Sequence, residues 1–245
     1  MEGVIRLLPY SIASGAINMA ADETLVQSAA RGVASLRFYG WSEPTVSLGY
    51  FQPSAVRLLD SVLISLAWVR RPSGGATLVH HHELTYCLAM PPGPPWQGGE
   101  SWMPRMHRVI ARALGDLGRA GSLESVQVAT TRHDNALCFH QFTPGDLLSA
   151  GKKVVGSAQR KYRQALMQHG SILLCQSDFT PSLPGIRELT GITLTATQIA
   201  LATADAFRRE TGWRLEAEPW TDAERANIQE LAKEKYGAAE WNEKR

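Results

Sequence analysis

Cysteine is scarce: Cys87, Cys138 and Cys175 are the only three in 245 residues, and no two form a Cys-x-x-Cys pair. Their odd number and wide spacing indicate neither a disulfide framework nor a zinc knuckle, so each thiol has to be judged singly. Long apolar runs are missing as well. Nothing approaches the roughly 20 residues that cross a bilayer, and the first twenty residues lack the basic start and continuous apolar stretch of an export signal. A cytoplasmic chain without membrane contact is expected. Charge of one sign is also lacking: 25 Lys and Arg against 23 Asp and Glu leave a net +2, and basic residues cluster no further than the pairs Arg160-Lys161 and Arg208-Arg209. Nucleic acid is therefore not an expected partner, because binding its phosphates takes a basic stripe.

What is present is a 44% hydrophobic share, enough for a sizeable core. The Pro- and Gly-rich residues 91–99 break the composition most sharply, but nine residues suit a surface loop better than a linker. Residues 1–245 are accordingly read as one α/β domain. Apolar spacing predicts helices over 16–30, 58–66 and 103–117, and two more after Thr195. Strands are predicted over 35–39, 45–50, 68–71, 76–79, 146–149, 153–159 and 165–174, with glycine turns at 73–75 and 150–151.

Several residues carry possible chemistry. Cys138 lies fifteen residues before Lys153, which opens a strand after a glycine turn. A lysine projecting from a hairpin can favour a thiolate, although a cysteine beside Phe139 also suits a small buried hydrophobe. Cys87 and Cys175 sit in strand-like apolar runs and read as core. Gly156-Ser157-Ala158 interrupts a strand with small residues, marking either a bulge or a place where a ligand approaches backbone N–H groups. His169, central in the next strand, either lines the same surface or is a hydrogen-bonded structural histidine. Arg70, Arg71, Ser73, Gly74 and Gly75 form either an anion-binding turn or a plain hairpin turn with solvated arginines. This turn lacks the endings of a phosphate-binding loop or dinucleotide fingerprint. His80-His81-His82-Glu83 suggests a metal, but consecutive strand residues face opposite ways and no helical His pair supports it, so no metal is expected.

Taken in order, residues 70–80, Cys138, residues 151–160 and residues 168–174 resemble the biotin/lipoate protein ligase and octanoyltransferase superfamily. The similarity runs from Asn18 to Asn242. It implies a mixed β-sheet flanked by helices, with an acyl chain bound along the arginine-glycine turn and the Gly156-Ser157-Ala158 strand. Lipoate ligases are similar at Arg70, Arg71, His80 and Lys153, but they activate a free acid with ATP. This chain departs from them at Ala76, where the ligase turn has another glycine, and 245 residues leave no room for the extra domain of long ligases. Cys138 matches the cysteine-dependent octanoyltransferases. The resemblance thus implies an acyltransferase without a cofactor, with Cys138 as nucleophile, Lys153 as its activator and Arg70, Arg71, Ser73, Gly74, Gly75, His80, Gly156, Ser157, Ala158 and His169 around the substrate. The donor is expected to be octanoyl-acyl carrier protein, and the acceptor a lysine of glycine cleavage H protein or a dehydrogenase lipoyl domain. A carrier-to-carrier amidotransferase, an ATP-dependent ligase and a catalytically silent carrier-binding module are the rival readings.

Overall fold

Short β-branched and apolar runs separated by turns build two sheets in the computed structural model, which describes residues 3–118, 123–127 and 137–245. The strands are β1 (Val4–Leu7), β2 (Ser11–Ala13), β3 (Ser35–Trp41), β4 (Thr45–Leu48), β5 (Ala67–Arg70), β6 (Leu78–His80), β7 (Glu83–Met90), β8 (Leu123–Ser125), β9 (Leu147–Ser149), β10 (Lys152–Tyr162), β11 (Ala165–Leu173) and β12 (Arg214–Ala217). Nine of them form one mixed sheet in the order β12-β1-β3-β7-β11-β10-β9-β8, with β2 beside β3. A second sheet, β5-β4-β6, carries the glycine turn. β7 and β11 lie at the centre of the large sheet, and all their residues are buried, as expected of strands covered on both faces.

Helices cover both faces. They are α1 (Gly15–Ala29), α2 (Ser61–Ile64), α3 (Trp102–Asp116), α4 (Ile186–Thr190), α5 (Ala196–Thr211), α6 (Asp222–Leu231) and α7 (Ala239–Asn242). On α3, Trp102, Met106, Val109, Ile110 and Ala113 recur at helical spacing and pack with Ile199 and Phe207 of α5 against Leu36, Tyr86 and Ile172 of the sheet. Burying each large apolar side chain there contributes about 1.5–3 kcal/mol. The opposite face holds Met19 and Leu25 of α1, Ile228 of α6 and Tyr236 against Tyr39, Cys87 and Met167. Cys87 is thus core, as expected, whereas Cys175 lies beyond β11 and is partly exposed. No helix among the described residues is long and apolar enough to cross a membrane.

Several elements differ from the sequence reading: β1, β2, β8 and α4 were not predicted, and two further differences have a clear physical cause. Residues 58–66 are split, because the Asp60 carboxylate caps Val62 N–H and starts α2 there, after a 3-10 turn at Ser54–Leu59. β12 was not anticipated: it is a mostly exposed strand that pairs parallel with β1, Val4 opposite Arg214.

The start of α6 is tied to β1 by Glu224, which takes bonds from Arg6 at 2.9 and 3.0 Å and from Ser28 at 3.1 Å. Burial pushes its carboxyl up, but the Arg6 bond, the Thr221 N–H and the Arg6 charge outweigh this and hold it at about 2, against an ordinary 4.5. A depressed folded value means the stabilisation is complete above about 4.5 and is lost as pH falls toward about 2. Thermal unfolding should show Tm falling through that window in wild type and less steeply in Arg6→Met; parallel curves would contradict this assignment.

Candidate active site

The turn at Ala150-Gly151, both at positive φ, reverses the chain from β9 into β10 and sends Lys153 inward, where it is buried. Lys153 Nζ lies 2.7 Å from Asp146 Oδ2 and donates to the carbonyl oxygens of Gln141 at 3.1 Å and Cys138 at 3.4 Å. Cys138 opens the 3-10 turn Cys138–His140 and is half-buried. Its N–H donates to Thr77 O at 2.7 Å, just ahead of β6. The hairpin therefore brings Lys153 to Cys138 as the spacing suggested, with the lysine bonded to the cysteine's carbonyl.

Gly156 makes room for this arrangement. A Cβ there would come within 2.4 Å of Lys153 Cε and 2.9 Å of its Nζ. Lys153 is fixed by three oxygens, so Gly156→Ala should displace the ammonium and slow turnover by up to about a hundredfold, the order expected for a misplacement of about 1 Å. Steady-state kinetics check this; an unchanged kcat would show that the position of Lys153 does not matter.

Cys138, Lys153 and Gly156 border a cavity of about 460 Å³, within the ~300–1,000 Å³ typical of small-molecule sites. Its walls include exposed Phe51 and buried Met19 and Tyr39, so it reaches from the surface into the core. Val56, Leu78 and Phe139 make much of its lining apolar.

The glycine turn divides its two arginines. Arg71 lines the cavity, and its guanidinium donates to Gly74 O, to Ser47 O and Oγ, and to Ala76 O at 2.7 Å. Gly75, at φ +98, lets the guanidinium lie on the turn, since a Cβ would meet Arg71 Nη2 at 2.7 Å. Arg70 points elsewhere. Its Nε donates to Asn242 O at 2.9 Å and its Nη1 to Gly49 O and Gln52 O, while its backbone N–H is held by Asn242 Oδ1. Arg70 thus anchors α7 rather than lining the cavity.

Ser73 is buried and meets His169 Nε2 at 2.5 Å, and His169 Nδ1 meets Asp22 Oδ2 at 2.9 Å. His169 both lines the cavity and is hydrogen-bonded on each nitrogen. Asp22 also takes Arg37 at 2.9 Å and Tyr39 OH at 2.8 Å. His80 lines the cavity, stacks on Trp41 with ring centroids 3.7 Å apart, and bonds Glu83 at 2.6 Å and Ser47 at 2.8 Å. Burial pushes its imidazole down, with Glu83 opposing. Burial also pushes the Glu83 carboxyl up, but His80, Thr85 and Ser171 outweigh it and hold it below the ordinary range. His81 turns instead to Ser177 at 2.9 Å and stacks on His82 with ring centroids 3.6 Å apart, so His80 lines the cavity apart from its two neighbours.

Gly156-Ser157-Ala158 stays in regular register with Ser171, Gly170 and His169 of β11, and the irregularity falls between Lys153 and Val155 on the β9 side. β9 ends opposite Val155, so beyond it that edge of β10 is unpaired among the described residues. The Ser157 hydroxyl is engaged by Tyr86 OH and His107 Nε2, each at 2.6 Å. Sequence reasoning did not assign roles to Asp22, Asp146 or His107. Asp146 had one available signal, a carboxylate at the start of the strand that pairs with the lysine strand.

The sequence pattern of the lipoyl protein ligase A/B catalytic domain matches residues 14–191. The chain belongs to that family. The octanoyltransferase LipM of Geobacillus kaustophilus is 32% identical over 99% of both chains, and that of Halalkalibacterium halodurans 31% identical over 93% of this chain and 94% of its own. A lipoate-protein ligase A bound with ATP superposes with a TM-score of 0.70 at 22% identity over 99% of each chain. The bipartite lipoate protein ligase of Thermoplasma acidophilum, solved in work on that ligase and its E2 lipoyl domain, does so with 0.70 at 18% over 99% of this chain and 96% of its own. These structural likenesses establish the mixed sheet flanked by helices as the family fold.

Proposed function

We propose that this chain is an octanoyltransferase of lipoate biosynthesis that carries the acyl group on Cys138. The observation behind this reading is a half-buried cysteine beside a buried, carboxylate-held lysine at the wall of a largely apolar cavity. In the first half-reaction the Cys138 thiolate attacks the thioester carbonyl of octanoyl-acyl carrier protein. The new C–S bond forms on Cys138 and the bond to the carrier's sulfur breaks. Lys153 hands a proton to the departing sulfur. In the second half, a neutral lysine amine of a lipoyl-carrying acceptor, glycine cleavage H protein or a dehydrogenase lipoyl domain, attacks the Cys138 thioester. The C–N bond forms, Cys138 leaves as thiolate, and Lys153 regains its proton from the nitrogen. Atoms and charge balance without ATP, and the amide lies below the thioester in free energy. Backbone N–H groups near Gly156–Ala158 serve the oxyanion, at about 3 kcal/mol per donor.

Supplying either octanoyl-acyl carrier protein or octanoylated H protein, with an unmodified acceptor domain, tests the donor. Octanoyl-lysine should form from the carrier thioester without ATP. Product formed from octanoylated H protein alone would instead indicate the carrier-to-carrier amidotransferase.

A further inference from the structure

We propose that Arg71, and not Lys153, supplies the standing counter-charge for the Cys138 thiolate. This deepens the site just described and rests on Cys138 being the nucleophile. Besides the Tyr39 hydroxyl, whose proton burial holds in place, four basic side chains border the cavity from the elements packed around Cys138: His80 from β6, Lys153 from β10, His169 from β11 and Arg71 from the glycine turn. Three of them already face a buried carboxylate, the one at His169 being shared with Arg37. His80 has Glu83 at 2.6 Å, Lys153 has Asp146 at 2.7 Å and His169 has Asp22 at 2.9 Å. His140, on the turn that starts at Cys138, bonds Ser182 at 3.0 Å.

Arg71 differs. It is 6% exposed and pairs with no carboxylate among the described residues; its donors all go to neutral oxygens of Ser47, Gly74 and Ala76. Those five contacts occupy the N–H groups of the guanidinium, so its positive charge is held in place without an anion. A buried cation in that condition favours an anion nearby. Cys138 is well placed to provide one. Arg71 Nη2 donates to Ala76 O at 2.7 Å, and Cys138 N–H docks on the next carbonyl, Thr77 O, also at 2.7 Å. The turn thus carries the guanidinium and the cysteine on consecutive peptide units. Burial pushes the Arg71 guanidinium below its ordinary value, and Cys138 is the group that opposes this. The division of labour also suits the chemistry: Lys153 changes its charge as the proton carrier of the cycle, whereas a guanidinium keeps its proton at every working pH.

The test is the pH dependence of iodoacetamide alkylation at Cys138, located by peptide mass spectrometry to separate it from Cys87 and Cys175. In Arg71→Gln the midpoint should rise by about one pH unit relative to wild type, return toward wild type in Arg71→Lys, and move less in Lys153→Gln. A midpoint moved by Lys153→Gln but not by Arg71→Gln would overturn the proposal. Should Arg71→Gln fail to fold, Asp146→Asn decides: freeing Lys153 of its carboxylate adds an unbalanced cation and should lower the midpoint, and an unmoved midpoint would show that Lys153 was never neutralised. Alkylation needs no acyl donor. A Cys138 that alkylates with these profiles but never carries octanoyl would refute the proposed function and leave the role of Arg71 intact.

Discussion

Cys138→Ala should lower octanoyl transfer by about a thousandfold or more, the scale on which loss of a covalent nucleophile is felt. The argument is one of position. Cys87 is fully buried in the core under α1, and Cys175 lies beyond β11, whereas Cys138 stands in the cavity wall with Lys153 and Arg71. Neither other thiol lines the cavity, so neither is placed to substitute. Cys138 is half-buried in a short turn, and trimming its sulfur removes little packing; the urea midpoint of the variant should therefore stay close to wild type, which separates loss of chemistry from loss of fold. Free octanoate with ATP should not restore product. Restoration by those two reagents would identify an ATP-dependent ligase and remove the cysteine from the mechanism.

Asp22→Ala should destabilise the protein by about 3–5 kcal/mol, the cost of leaving a buried charge without its partner. Asp22 is fully buried and serves three side chains at once: Arg37 at 2.9 Å, Tyr39 OH at 2.8 Å and His169 at 2.9 Å. Removing it strands the Arg37 guanidinium between α1 and β3, where it keeps Asn18 and the rings of Tyr39 and Trp220 but no carboxylate among the described residues. Urea unfolding should show the midpoint falling with the slope unchanged. Tyr39→Phe removes only one neutral donor to the same carboxylate and should cost about 1 kcal/mol. Equal losses in the two variants would mean that the Arg37 charge is relieved elsewhere.

How much of this could be read beforehand depended on whether the information was local. The apolar stripe of α3 repeats within its own fifteen residues, and the structure places the helix at Trp102–Asp116 against an expected 103–117. The hairpin carrying Lys153 was legible because its glycine turn and flanking strands are contiguous. β12 was not, since Arg214–Ala217 is polar and mostly exposed and becomes a strand only by pairing with β1, about 210 residues away. The same distance problem hid the role of Arg70: two consecutive arginines look alike in sequence, but Asn242 claims the first from 172 residues away and leaves only the second for the cavity. Asp146 and Asp22 escaped assignment because a carboxylate reveals its partner only when strands from different parts of the chain are laid together.

Resemblance ordered the motifs and singled out Cys138, and the geometry adds hydrogen-bonding partners to its polar neighbours in the cavity wall. Ser157 is occupied by His107 and Tyr86, His80 and His169 each hold a buried carboxylate, and Lys153 reaches the cysteine through its carbonyl oxygen. The candidate site is compact: a thiol, a lysine paired with Asp146, a guanidinium with no carboxylate partner among the described residues and the open edge of β10.

Intact-mass spectrometry after mixing the protein with octanoyl-acyl carrier protein, with no acceptor present, tests the central claim most directly. Wild type should gain the mass of one octanoyl group, hydroxylamine should remove it, and Cys138→Ser should show no hydroxylamine-labile adduct. A labile octanoyl adduct that persists in Cys138→Ser would place the thioester on another cysteine and contradict the account.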